Sequence, residues 1–246
     1  MRIVERRSLA APEPFVITGF PDVGLVGAIA AFHLIKQLKM EEMGYLESDL
    51  LPPIILLHGG EPKMPIRIYG HGSLYVIISE IAVAPELMVS LARTIVDFAI
   101  SKNSKALLIA GGLATPERIE IEKPKVYGVA TDQYTRGLLE KGGVEPLSEG
   151  FIVGINALLL KEAASRRLPS LMLLAQCHAE YPDPGAAASI VEKLNQILSL
   201  NVDVEPLLKE AEMLRLKLRE LMRRTNAVLS RLQKSHEFEI PPMMYV

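Results

Sequence analysis

"PFVITGFPDVGLVGAIAAFHLIKQLK", residues 14–39, decides the fold class. A short apolar run, "PFVITGF", reads as a buried strand. A glycine-bearing turn follows, and the pattern from residue 23 to residue 39 then reads as a helix. The same alternation continues downstream. "PPIILLH" (52–58), "PIRIY" (65–69) and "LYVIIS" (74–79) predict three strands in quick succession, and a helix is expected from about 85 to 102. "KALLIA" (105–110) is a strand with Gly111 and Gly112 at its exit, and "KVYGVAT" (125–131) is another. "DQYTRGLLEK" predicts a helix ended by Gly142, and "FIVG" leads into the helix "INALLLKEAASRR". The strand "SLMLLAQ" then precedes a helix with Asp183 as N-cap and Pro184 in its first turn. Repeated strand–helix units imply an α/β layered fold with a largely parallel central sheet, and the strand cluster at 52–80 implies hairpins at one edge.

Composition bounds the function. The 246 residues are 49% hydrophobic and 23% charged, as expected of a packed globular chain. A formal net charge of −2 gives no overall basic field for nucleic acid. Cys177 is the only cysteine, so no internal disulfide and no cysteine-rich metal site can form. The start "MRIVERRS" is not a signal peptide. The apolar run Val23–Phe32 is interrupted by His33 and Lys36, short of the roughly 20 residues of a membrane span. The expectation is a cytoplasmic protein with no membrane partner.

Two stretches invite a chemical reading. "GFPDVGLVG" joins a strand to a helix, where phosphates often bind, but it lacks half of the dinucleotide fingerprint and no P-loop exists in the chain. Gly24, Gly27 and Ala28 read instead as small residues that let a helix sit close to the sheet. "QCHAEYPDPG" gathers Cys177, His178, Glu180 and Asp183. Adjacent Cys177 and His178 on one strand point to opposite faces, so they cannot make a thiolate–imidazolium dyad. His178 and Glu180 are two ligands without a third. Asp183 is accounted for as a cap. No catalytic residue, metal site or cofactor is therefore assigned.

From residue 205 the texture changes. Leu207, Ala211, Leu214, Leu218, Leu221, Thr225, Val228 and Leu232 recur in steps of four and three, the seam of a long amphipathic helix. Its apolar stripe must pack on something. A partner subunit is the reading adopted, with the chain's own domain as the alternative. Pro241 and Pro242 then end helical structure.

Taken together, "GFPDVGLVG", "DLLPP", "PIRIY", "AGGL", "VYGVAT", "GINALLLKEA" and "HAEYPDPGAAAS" resemble, in this order, the second proteasome-assembly-chaperone family in its archaeal form. The resemblance covers about Phe15 to Glu212, with one departure at Cys177, where a threonine is expected before the histidine. It implies a three-layer α/β/α sandwich similar to nucleoside phosphorylases, with no established catalytic residues. It also gives meaning to the end of the chain. Met244, Tyr245 and Val246 match the hydrophobic–tyrosine–any-residue (HbYX) ending of proteins that dock on the proteasome α-ring. An extended tail places an aromatic ring in a pocket while a basic group captures the terminal carboxylate.

The expected organisation is an α/β/α core domain (1–204), a helical extension (205–236) and an extended C-terminal tail (237–246). The expected function is that of a non-enzymatic proteasome-assembly chaperone or ATP-independent proteasome-interacting factor. Its partners would be the α-subunits of the core particle, further copies of itself and a candidate paralogue. The alternative is an enzyme or nucleoside- or phosphate-binding protein on the same scaffold, because fold alone does not choose between them.

Overall fold

The architecture was obtained as a computed structural model, which describes residues 1–116 and 118–236. The chain opens with β1 (Arg2–Glu5), β2 (Phe15–Gly19) and α1 (Val26–Gln37). Next come β3 (Glu41–Glu47), a small hairpin of β4 (Leu56–His58) and β5 (Glu61–Lys63), then β6 (Ile66–His71) and β7 (Leu74–Ser79). α2 (Pro85–Ser101), β8 (Ala106–Ala114), β9 (Val126–Ala130), α3 (Gln133–Lys141) and β10 (Glu145–Pro146) make up the middle. α4 (Gly154–Ser165), β11 (Ser170–Cys177), α5 (Pro184–Leu198), α6 (Glu205–Lys209) and α7 (Ala211–His236) complete the described chain.

Among the described residues, nine strands form one sheet in the order β1-β3-β6-β7-β2-β8-β11-β9-β10. Strands β7, β2, β8 and β11 lie side by side and parallel. On one flank β6, β3 and β1 are antiparallel, and on the other β9 is antiparallel to β11. The sheet is thus parallel at its centre rather than throughout. The reason is local: β6 and β7 are joined by two residues, with Gly72 at φ +57°, and so short a loop permits only a hairpin.

Side-chain alternation along each central strand feeds two cores. Ile17, Val76, Ile78 and Leu108 pack beneath α1, α3 and α5, while Val16, Tyr75, Ile77 and Leu107 pack beneath α2 and α4. Helices therefore cover both faces. α1 approaches unusually closely, since a Cβ on Gly27 would stand 2.2 Å from the Ala110 carbonyl oxygen. That is the role expected of its small residues. α3 is closed by a capping box between Asp132 and Thr135, and α5 starts on the Asp183 side chain, which accepts the Ala186 N–H at 3.0 Å.

Two expectations change. The "PPIILLH" run does not join the main sheet. Its strand begins only at Leu56, beyond the two prolines, and pairs with β5 in a separate two-stranded arm. The late helix is also not continuous, because Glu210 (φ −96°, ψ 11°) separates α6 from α7. Its seam packs on its own chain: Leu207 and Thr225 are buried, Leu214, Leu218 and Leu221 lie on the first core, and Val228 and Leu232 lie on the second.

Candidate functional site

In an open α/β sheet, ligands bind where loops leave the carboxyl ends of parallel strands. Here those are the loops after β2, β8 and β11. The loop after β2 turns sharply, with Gly24 at φ +65° and Leu25, fully buried, at φ +51°. A side chain on Gly24 would collide with Cys177, its Cβ standing 2.9 Å from Sγ. This turn buries Asp22. One carboxylate oxygen, Oδ2, accepts the Gly112 N–H at 2.8 Å and the Asn156 Nδ2–H at 3.1 Å. The other, Oδ1, has no protein partner, nor has Oδ1 of Asn156. Burial pushes the Asp22 carboxyl up to about 8 against the pull of these donors. Gly111 and Gly112, expected at the strand exit, lie inside β8, paired with Leu174 and Ala175, where Asp22, Asn156 and the Val23 carbonyl leave no room for a side chain.

The loop after β11 holds a second buried carboxylate. Asp183 is fully buried and faces Arg118, whose Nε lies 2.8 Å from Oδ2 and whose Nη2 donates to Oδ1 at 3.1 Å. Arg118 Nη1 also donates to the Ile121 carbonyl at 2.6 Å, and the His178 N–H donates to Asp183 at 3.2 Å. One ion pair thus fastens the loop after β8 to the loop after β11 and to the start of α5.

Cys177 and His178 point in opposite directions, as their adjacency requires. The thiol is buried and donates to the Val23 carbonyl at 3.6 Å. Burial, and then the charges of Asp22 and Asp183, push its pKa up, which disfavours the thiolate. His178 turns outward, its ring edge-on to Tyr181 at 5.9 Å, and burial holds its pKa below the usual value. It lines an open groove of about 1230 Å³ together with Arg118, Glu180, Tyr181, Arg215 and Arg219. No group of three His, Cys, Asp or Glu side chains is placed to hold a metal ion among the described residues. None of their helices is long and apolar enough to cross a membrane.

α7 closes what the strand ends would otherwise open. Thr225, Val228 and Leu229 roof the Asp22–Asn156 pair, leaving a cavity of about 20 Å³, room for one water. Asp22, Asn156 and Arg118 had not been singled out in the sequence. An acid inside a glycine-bearing strand-to-helix turn was the signal available for Asp22. Met244, Tyr245 and Val246 lie outside the described residues, and α7 is the element that precedes them.

A family model described as PAC2 family matches residues 16–222. The protein MJ0106 of Methanocaldococcus jannaschii, described as uncharacterized, is 33% identical over 242 residues, 98% of each chain. Among solved structures, Pyrococcus furiosus PbaA, described as an archaeal homologue of proteasome-assembly chaperone, is 35% identical. It superposes with a TM-score of 0.86 over 92% of this chain and 99% of its own. Pyrococcus furiosus PbaB, described as an archaeal proteasome activator, is 26% identical with a TM-score of 0.73, over 89% of this chain and 97% of its own.

Proposed function

The chain belongs to the PAC2 family, and from that premise we propose that it is a proteasome-assembly chaperone or ATP-independent proteasome-interacting factor whose Met244–Tyr245–Val246 terminus docks on the α-ring. The observation that carries this reading is the likeness to PbaA over 92% of this chain, joined to a hydrophobic–tyrosine–valine ending. Burial of the polar groups at the strand ends supports a body that binds rather than catalyses: the Cys177 thiol is buried, Asp22 is roofed by α7, and the Arg118–Asp183 pair ties loops together beneath an open groove. In this reading the protein is cytoplasmic, works without a cofactor, and assembles with further copies of itself or with a paralogue.

A second reading keeps the scaffold as a phosphorylase-like binder of a nucleoside or phosphate. It is favoured by one observation, the buried carboxyl of Asp22 at the carboxyl ends of the parallel strands.

Binding to purified archaeal α-rings, measured by surface plasmon resonance, tests the first reading. Tyr245→Ala removes a buried aromatic anchor and should cost about 2 kcal/mol or more per engaged tail. A one-residue extension after Val246 displaces the carboxylate and should weaken binding comparably, with avidity enlarging both losses. Equal affinity for the wild type and both variants would refute tail docking. Thermal stabilisation by a nucleoside or by inorganic phosphate would favour the second reading.

A further inference from the structure

Besides the face that seats on the body, α7 presents a second one. Glu212, Leu216, Arg219, Arg223 and Asn226 recur in steps of four and three and form one wall of the open groove of about 1230 Å³. The facing wall is the loop after β11, with His178 and Tyr181, and the turn that carries Arg118 and Ile119. From Glu212 to Asn226 the helical wall runs about 21 Å at 1.5 Å per residue. Small-molecule pockets occupy about 300–1,000 Å³, and this groove is both larger and open along its length. An extended polypeptide covers such a length with about six residues.

The groove offers apolar anchors. Ile119 is 86% exposed, Leu216 66% and Tyr181 59%. Tyrosine and arginine are the residue types that concentrate binding energy at protein contacts. Its charges are only partly matched. Five cations and three acids line it. Arg118 is answered by Asp183 from behind, and Arg223 by Glu220 at 2.8 Å. Arg215 meets Glu212 only at 3.8 Å, and its buried Nε has no partner. Lys217 and Arg219 make no ion pair among the described residues, and on the facing wall neither does Glu180. The unmatched charge along α7 is therefore cationic. A nucleic acid would bring a phosphate with every nucleotide against Glu180, Glu212 and Glu220, whereas a polypeptide can place its carboxylates singly.

We propose that this groove seats an extended segment of a partner protein, about six residues long, whose carboxylates meet Arg215, Lys217 and Arg219 while its apolar side chains cover Ile119, Tyr181 and Leu216. The surface lies on the body and shares no residue with the terminus, so it goes beyond tail docking and does not depend on it.

Fluorescence anisotropy with the full chain tests this. The probe is a labelled peptide of about eight residues that alternates glutamate with leucine or phenylalanine, and its counterpart carries lysine for each glutamate. The acidic peptide should bind about tenfold or more tightly than the lysine counterpart. Lys217→Glu with Arg219→Glu, both at exposed positions, should weaken the acidic peptide about tenfold or more and strengthen its counterpart. Ile119→Asp with Leu216→Asp should weaken the acidic peptide as well. Tyr245→Ala should leave it unchanged, which separates this contact from tail docking. An acidic peptide that binds no better than its lysine counterpart, or equally well to the charge-reversed variant, would overturn the proposal. So would tighter binding of oligothymidylate, which would assign the groove to nucleic acid. Displacement of the probe by a free peptide of residues 236–246 would assign it to this chain's own terminus. A mass that falls in light scattering on Ile119→Asp with Leu216→Asp would assign it to a contact between copies. Either result would also overturn the partner segment.

Discussion

Replacing Asp22 by asparagine changes one atom at a buried polar site roofed by α7. In the unfolded chain the carboxyl ionises near 3.8, whereas burial in the folded protein holds it up to about 8. Between those values the folded protein keeps a proton that the unfolded chain has released. Each unit of rising pH therefore favours unfolding by about 1.4 kcal/mol. The stability of the protonated form is complete below about pH 4 and drains away as pH climbs through the folded value. From pH 5 to pH 8 the loss is about 4 kcal/mol. Asparagine cannot ionise, so its contribution should stay level. Its amide oxygen can keep the Gly112 and Asn156 donors, and its NH₂ takes the position of the oxygen that has no partner. Urea unfolding of wild type and Asp22→Asn at pH 5, 6, 7 and 8 supplies the measurement, and the difference between them cancels every other titration. The variant should gain about 4 kcal/mol on wild type across that range. A difference independent of pH, or one of opposite slope, would mean that Asp22 is ionised in the folded protein and held there by its two donors.

Three further outcomes are expected. Arg118→Ala leaves Asp183 buried without its cation and should cost about 3–5 kcal/mol, read from the shift in urea midpoint. Gly112→Ala would set a Cβ 2.2 Å from the Val23 carbonyl oxygen and 2.6 Å from Cys177 Sγ. At a cost of about 2 kcal/mol for overpacking, its Tm should fall by at least about 4 °C in a scanning calorimeter. Cys177 should resist a thiol reagent in the native protein and react once urea unfolds it; prompt native-state labelling at neutral pH would contradict its burial.

The legible part of the fold is the part where burial dictates residue type. β2, β7, β8 and β11 are shielded on both faces, so their near-continuous apolar runs stand out. The helices announced themselves through Pro85, Asp132, Asp183 and Pro184 at their starts. What stayed hidden lies at the edge. β1 is "RIVE", short and charged because an edge strand must not invite pairing, and its neighbour β3, "EEMGYLE", breaks its alternation with a bulge between Glu42 and Gly44. Their pairing is marked instead by cross-strand ion pairs such as Arg2–Glu47, which no periodicity reports. The site was legible to the same extent. Local geometry sufficed to disqualify the Cys177–His178 dyad and to identify Asp183 as a cap. The partners that bury Asp22 and Asp183 come from 134 and 65 residues away, and a linear pattern does not carry such contacts.

α7 touches both cores, Leu214 to Leu221 on one face of the sheet and Val228 and Leu232 on the other. It is also made after every strand it covers. During synthesis the nascent sheet therefore waits with Asp22 unroofed and the margins of both cores wet until this helix leaves the ribosome. A chain interrupted before residue 211 leaves that gap open. α7 seats fully only when both layers have formed, so its seating certifies a finished body.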